Sequence, residues 1–189
     1  MKTTCSRAGF RLLVLGLSAG VGSVWAAPYT AAPGGSATFE HRVRGINVKG
    51  TVEGVTGTVQ LDPANLAATR GRVNVPLANL KTGLGLRDTH ARGESALNTA
   101  RFPNATFVLG SLTGGRLGEG QTVSTTASGQ FTLKGVTQTI SVPVKATLTG
   151  GQVKVAAQFK FNPHDYGVNY AGSSDSASVD VNFTLSPDA

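Results

Sequence analysis

The sequence predicts an all-β protein that folds as a single eight-stranded antiparallel barrel with one short helix. From Ser36 onward, apolar and polar residues alternate with a period of two, which is typical of strands with one buried and one solvent-facing side. Glycine-containing turns join consecutive runs closely enough to make them antiparallel neighbours. Helical periodicity is nearly absent outside one polar insertion.

The first 26 residues have the pattern of a secretory signal peptide. Three basic residues precede an apolar run from Leu12 to Val24, and the small residues Ala26 and Ala27 suit cleavage between them. The run is too short to cross a bilayer as an ordinary transmembrane helix, so an uncleaved membrane anchor is the less favoured alternative. We therefore expect a signal peptide over residues 1–26, a folded domain over residues 27–189, and a periplasmic or secreted protein.

Charge and cysteine content exclude several classes of function. The only cysteine, Cys5, lies in the expected signal peptide, so the folded domain has no disulfide. Loss of Lys2, Arg7 and Arg11 leaves 14 of the 17 basic residues against 10 acidic residues, a net charge of +4. These basic residues are scattered and have little aromatic interleaving, so we expect no nucleic-acid partner. A transient contact with an anionic membrane surface remains open, as does a homodimer.

Eight runs of alternating residues define the strands. The first, Ser36 to Val43, places Ala37, Phe39 and Val43 on one face, with His41 in the same phase. The other runs are Val48 to Leu61, Thr69 to Leu77, Ala105 to Ser111, Val123 to Leu133, Ile140 to Leu148, Val153 to Phe161 and Ala177 to Leu185. In each run we expect the apolar phase to face the interior.

Turn residues fall between these runs. Gly150-Gly151 predicts a tight hairpin, and Lys134 to Thr137 resets the phase between two strands. The alternation also slips near Gly54. Pro143 lies inside an otherwise regular strand, and because proline cannot donate to a ladder it indicates either an edge position or a bulge.

One polar stretch, between Thr82 and Phe102, departs from the alternation. It mixes charged residues with alanines and a leucine, which predicts a loop with a short helix near residues 88–100. An insertion of this length between the strands of a compact barrel is usually functional or covers one end.

Eight antiparallel strands are compatible with a sandwich or a barrel. Closing the sheet removes the exposed edges that promote aggregation, so we favour the barrel. An eight-stranded barrel is either filled by its own side chains or able to hold one small ligand, and the alternation does not separate these outcomes. Gly129 and Ala157 are small residues in the interior phase that either leave room for a ligand or fit the taper of the wall.

Four segments of the chain carry a specific set of motifs. They are Gly57-Thr58-Val59-Gln60-Leu61-Asp62-Pro63, the block Thr82, Arg87-Asp88-Thr89-His90 and Arg101-Phe102-Pro103 with Phe107, the hairpin Gly129 to Thr137, and Asp165-Tyr166-Gly167. Together these motifs resemble those of the YceI-like family of lipocalin-like, polyisoprenoid-binding proteins, and the resemblance covers nearly the whole of the expected folded domain. The middle block, with its Arg-Asp-x-His signature, is the most specific part.

The resemblance implies a lipocalin-like barrel whose apolar interior binds a long isoprenoid-type lipid, such as a polyprenyl quinone or a prenyl alcohol, for transport, storage or shielding. It implies a binding protein with no cofactor other than the bound lipid, and we expect no enzyme activity. Two alternatives remain open. One is a ligand-free barrel that acts as an envelope or stress-associated interaction module through its insertion, and the other is an enzyme acting on an apolar substrate.

Candidate site residues follow from the interior phase and from the insertion. The expected cavity lining comprises Phe39, His41, Phe107, Phe131, Val144, Phe159, Phe161 and Phe183. Arg87, Asp88 and His90 combine groups that hold an anion and exchange a proton, but no nucleophile stands beside them. We therefore interpret them as residues that pin the loop or line the barrel mouth, and not as catalytic residues. The three histidines, His41, His90 and His164, have no spacing that indicates a metal site.

Overall fold

The computed structural model describes residues 26–188, which form one antiparallel sheet closed into a barrel. The signal peptide expected over residues 1–26 lies outside the described residues apart from Ala26. The closed eight-stranded antiparallel barrel with one α-helix confirms the predicted fold class. In the described part of the chain, no helix is long and apolar enough to cross a membrane.

The strand segments and helices have the following bounds. The strand segments are β1 (Ala27–Ala31), β2 (Ser36–Val43), β3 (Ile46–Glu53), β4 (Thr56–Leu61), β5 (Arg70–Pro76), β6 (Leu80–Lys81), β7 (Asn104–Leu112), β8 (Thr122–Leu133), β9 (Val136–Thr149), β10 (Gln152–Phe161) and β11 (Ser173–Pro187). The α-helix is α1 (Gly85–Arg92), and the three short 3-10 helices span Leu66–Ala68, Leu77–Asn79 and Pro163–Tyr166.

Eleven segments make eight barrel strands because three of the strands are broken in two. β1 and β2 are successive parts of the first strand, β3 and β4 of the second, and β5 and β6 of the third. The first two breaks coincide, since the Gly35 carbonyl accepts hydrogen bonds from the amides of Gly54 (2.9 Å) and Val55 (3.0 Å). Gly54 has a φ of +87°, which favours glycine. The phase slip expected near Gly54 is therefore a kink that two neighbouring strands share.

The last strand segment closes the sheet. β11 pairs with β10 on one side and with β1 and β2 on the other, so that Val179 lies opposite both Phe159 and Phe39. The remaining barrel strands each pair with the strands next to them in the chain. The barrel is thus an antiparallel meander closed by its two terminal strands.

The connections between strands alternate between two ends of the barrel. We call the mouth end the one built from residues 44–45, 82–103, 134–135 and 162–172, and the floor end the one built from residues 62–69, 113–121 and 150–151. The long polar insertion therefore belongs to the mouth end.

Pro143 marks the point where two barrel strands separate. β9 pairs with β10 only from Val144 onward, whereas its register with β8 runs without a shift through the pair Thr126–Pro143. The first half of β9 is therefore an edge on the β10 side, and of the two alternatives for Pro143 the edge position is the one observed. The turn after β10 covers this gap, because Gln138 Nε2 donates to the Asp165 carbonyl (2.9 Å).

The helix of the insertion begins earlier than the sequence pattern indicates. It spans Gly85–Arg92, while most of the expected region near residues 88–100 consists of consecutive turns. Gly93 caps the helix, and Asn98 adopts a φ of +48° as the chain reverses. Ala96 and Ala100 therefore lie in turns and not in the helix. Their spacing resembles that of a helix, which explains why the predicted bounds are wrong.

Thr69 offers a test of the packing at the floor end. Its side chain is 1% exposed, and among residues 26–188 its hydroxyl oxygen has no hydrogen-bond partner. A Thr69→Val substitution keeps the shape and removes the unsatisfied hydroxyl, so we expect the free energy of unfolding to rise by about 1–2 kcal/mol. Denaturant unfolding measures this change. Thr58→Val on the exposed outer face of β4 is the control, and a Thr69→Val variant less stable than wild type would contradict the packing described.

Candidate functional site

The barrel encloses a cavity of about 830 Å³ that is lined mainly by apolar side chains. The structure places all eight of the expected lining residues along it: Phe39, His41, Phe107, Phe131, Val144, Phe159, Phe161 and Phe183. A volume of this size falls in the range of ligand-binding pockets. The interior of this barrel is therefore only partly filled by its own side chains.

The two small interior residues behave differently. A Cβ added at Gly129 would lie 2.2 Å from the Val108 carbonyl oxygen and 2.8 Å from the Phe107 ring, so this glycine permits close contact with β7 and adds no space. Ala157 lines the cavity and lies opposite Val144 on β9. Ala157 is thus one of the places where a short side chain leaves the interior open.

The floor end of the cavity is closed. Leu61, Leu66, Leu117, Val153 and Leu185 are all buried and belong to one apolar cluster there. Two loops are joined beneath the cavity, because the Leu66 amide donates to the Gly115 carbonyl (3.1 Å) and the Leu117 amide to the Pro63 carbonyl (2.8 Å). Leu66 and Leu117 lie outside the alternating runs, so the sequence pattern could not identify them as lining residues.

The mouth end of the cavity is open to solvent. The lining residues with exposed side chains are Arg44, His90, Ser95 and Ala171, and all four belong to connections at the mouth end. Tyr170, half-buried, also lines this end, and burial raises the pKa of its hydroxyl. The exposed part of the lining, which includes the polar side chains of Arg44, His90 and Ser95, is therefore at the entrance, and four of these five residues were absent from the sequence-based set.

His41 is tied to the protein through both ring nitrogens. Nδ1 lies 3.1 Å from the Ser176 carbonyl, which can only accept, so Nδ1 carries the proton. Nε2 then accepts from the Ser173 hydroxyl at 3.0 Å. These partners flank an irregularity in the register between β11 and β2. The side chain thus fastens β11 to β2 at the mouth end while its ring lines the cavity.

Arg87 and Asp88 hold the start of the insertion. The Asp88 carboxylate accepts from the amide (2.7 Å) and the hydroxyl of Thr82, and Arg87 donates to the Thr82 carbonyl (2.6 Å). The hydroxyl bond lowers the pKa of Asp88 below its ordinary value of 3.8, with smaller contributions from the Thr82 amide, Arg92 and Arg87, although desolvation opposes the shift. Arg87 and His90 both line the cavity entrance.

An aromatic cluster covers the place where β9 and β10 separate. The Phe131 ring meets Phe159, Phe161 and Tyr166 edge to face, with centroid separations of 5.6, 5.5 and 5.2 Å. Tyr166 is buried, which raises the pKa of its hydroxyl. This cluster gives the upper part of the cavity a rigid apolar wall.

The chemistry of the lining is that of an apolar container. Among residues 26–188, no group of three or more histidine, cysteine, aspartate or glutamate residues is arranged to hold a metal ion. The hydrogen bonds of Asp88 go to Thr82, which directs its carboxylate toward the start of the insertion. The arrangement suits the burial of a long apolar molecule with a polar group at the entrance.

Comparison with known proteins identifies the family. Residues 29–187 match the YceI-like domain. The chain belongs to the YceI-like family. A UPF0312 protein of Yersinia pestis is 34% identical to this YceI-like chain over 146 residues, which are 72% of this chain and 73% of that protein. The motifs around Arg87, Asp88 and His90 therefore identified the family correctly.

Two solved structures share the YceI-like barrel. A polyisoprenoid-binding domain from Saccharophagus degradans has a TM-score of 0.68 at 15% identity, over 87% of this chain and 99% of that one. Burkholderia cenocepacia BcnA has a TM-score of 0.66 at 17% identity, over 78% of this chain and 95% of that one. At these identities the likenesses show a common fold.

The Asp88 carboxylate should make stability depend on pH. Its folded-state pKa lies below the ordinary 3.8, so its contribution is present above that pH and is lost as the pH falls through the folded pKa. We expect Asp88→Asn to melt at a lower temperature than wild type at neutral pH. In acid the two melting temperatures should become similar. Thermal unfolding between about pH 7 and about pH 3 measures it. Glu94→Gln, an exposed carboxylate in the same insertion, is the control, and a difference that persists unchanged in acid would contradict this role.

Proposed function

We propose that the protein binds one long apolar isoprenoid-type lipid, such as a polyprenyl quinone or a prenyl alcohol, inside the barrel, and that it transports, stores or shields this lipid. The observation that carries the proposal is the apolar cavity of about 830 Å³, closed at the floor end and open at the mouth end. The barrel of the Saccharophagus degradans polyisoprenoid-binding domain is consistent with it. Together with the expected signal peptide, this role suits a periplasmic or secreted protein.

The size of the cavity sets the length of lipid that it holds. If each carbon takes about 30 Å³, as a water molecule does in the liquid, 830 Å³ accommodates on the order of 25 carbons, or about five isoprene units. Each buried methylene-sized group contributes about 0.8 kcal/mol, so a five-carbon unit adds about 4 kcal/mol before association costs. Affinity should therefore rise with chain length until the cavity is full.

We propose different contacts for the tail and for the head group of the lipid. Seven of the expected residues present apolar surface to the lipid tail: Phe39, Phe107, Phe131, Val144, Phe159, Phe161 and Phe183. His41 contributes the surface of its ring, because its nitrogens are already bonded to the protein. The cluster that closes the floor end is apolar, so we place the polar head group at the mouth end near Arg87 and His90.

Binding rather than catalysis is the role that the polar residues favour. The Asp88 carboxylate and the Arg87 guanidinium are both bonded to Thr82, which supports a positioning role for them at the start of the insertion. We propose that the bound lipid is the only cofactor-like group. Retention of a lipid that the purified protein leaves chemically unchanged is the expected behaviour.

Native mass spectrometry of the protein purified without added lipid tests the proposal, followed by organic extraction of whatever co-purifies. A stoichiometric isoprenoid is the expected result and would identify the ligand. A ligand-free mass that stays unchanged after incubation with prenyl quinones and prenyl alcohols would overturn the proposal. That result would favour an interaction module acting through the insertion.

A substitution that fills the cavity should limit the chain length that binds. Ala157→Phe places a ring in the interior, so we expect a five-unit prenyl alcohol to bind about tenfold or more weakly, while shorter chains bind nearly as wild type does. Titration with prenyl alcohols of increasing length measures this. Ala156→Phe, the next residue with its side chain on the exposed face, is the matched control. Equal affinities of the two variants for every chain length would place the lipid elsewhere.

A further inference from the structure

Large exposed apolar residues are confined to one end of the barrel. Among residues 26–188, the four large hydrophobic side chains that are exposed are Ile46 (66%), Leu84 (59%), Leu86 (73%) and Val136 (39%). All four lie at or beside connections of the mouth end. The floor end and the outer wall of the described barrel expose none, so this end differs from the rest of the surface.

Three of these side chains lie on the same side of the mouth. β3 and β6 pair at Thr51–Lys81, and from that pair β3 runs back to Ile46 while the chain after β6 runs on to Leu84 and Leu86. Because the two strands are antiparallel, both directions lead to the mouth end. We call Ile46, Leu84 and Leu86 the apolar rim.

The segments that carry the apolar rim are basic. Within residues 42–49 and 81–103 the basic residues are Arg42, Arg44, Lys49, Lys81, Arg87, Arg92 and Arg101, against the acidic Asp88 and Glu94. Asp88 is engaged by Thr82, while Lys49 lies 3.2 Å from the Glu40 carboxylate, and Asp175 is the acidic residue at the start of β11. The surplus of positive charge around exposed leucine and isoleucine complements an anionic lipid surface.

We propose that the mouth end docks on an anionic membrane surface, with Ile46, Leu84 and Leu86 inserted among the lipid head groups and the flanking arginine and lysine side chains beside lipid phosphates. The choice of a bilayer as the partner rests on the proposed function, because a lipid that leaves a membrane through this entrance would reach the cavity without crossing water. The exposed lining residues Arg44 and His90 then face the membrane.

The rim variant Leu84→Asp/Leu86→Asp tests the proposal by co-sedimentation with phosphatidylcholine vesicles, with and without phosphatidylglycerol. Both side chains are exposed, so the fold should be unaffected. We expect the cleaved wild-type protein to bind the anionic vesicles and the cleaved rim variant to bind at least about tenfold more weakly. The matched control, Ala67→Asp/Ala68→Asp at the floor end, makes the same change in charge and should bind like wild type. Equal vesicle binding by the rim variant and the control would overturn the proposal, as would a wild type that binds neither vesicle.

A tryptophan at the rim provides a second measurement. The only tryptophan of the chain, Trp25, lies in the expected signal peptide, so a single added tryptophan reports on its own surroundings in the cleaved protein. We expect the emission of Leu86→Trp to shift to shorter wavelength with anionic vesicles, and that of Ala67→Trp to stay unchanged. No shift for Leu86→Trp would contradict insertion of the rim.

Different results would overturn the membrane-docking proposal and the proposed lipid-binding function. Native mass spectrometry of the rim variant loaded in detergent reports on the cavity alone. Retained lipid together with wild-type vesicle binding by the rim variant would overturn docking and leave the ligand-binding proposal standing. Rim-dependent vesicle binding by a protein that retains no isoprenoid would overturn the proposed function and leave docking standing.

Discussion

Closure of the sheet by β11 is the constraint on which the rest of the structure depends. Val179 lies opposite Phe159 on one side and Phe39 on the other, so this strand brings together phenylalanines from distant parts of the chain. In an open sheet these side chains would need a second layer to cover them. The closed sheet supplies that cover itself, and an enclosed apolar interior exists only because the two terminal strands meet.

Polar contacts help to hold the mouth end of this closure, in addition to the apolar packing around Phe131 and Tyr166. His41 fastens β2 to the irregular start of β11, while Arg87 and Asp88 fix the chain at Thr82. Hydrogen bonds of this kind are directional, so they fix the orientation of the groups that they join. The entrance can therefore stay open to solvent and still keep a defined shape, while the floor end relies on leucine and valine side chains.

The sequence predicted the eight barrel strands, although not their short segments β1 and β6, because a period of two follows directly from backbone geometry. It did not decide between an open and a filled interior, since that depends on contacts across the barrel. Gly129 resembles spare volume in the sequence but is covered by the Phe107 ring, whereas Ala157 does border the cavity. Leu66 and Leu117 lie in turns without periodicity, and the entrance residues come from loops whose paths no alternating pattern encodes.

The meander order also determines when the fold can be completed. Most barrel strands find a partner immediately before or after them in the chain, so these hairpins form locally. β1 and β2 pair early with β4 and β3, but their other neighbour is β11, the last of the described strands to be synthesised. Until then a nascent chain has an incomplete wall and no enclosed core. The topology itself therefore delays completion of the barrel until β11 has been made.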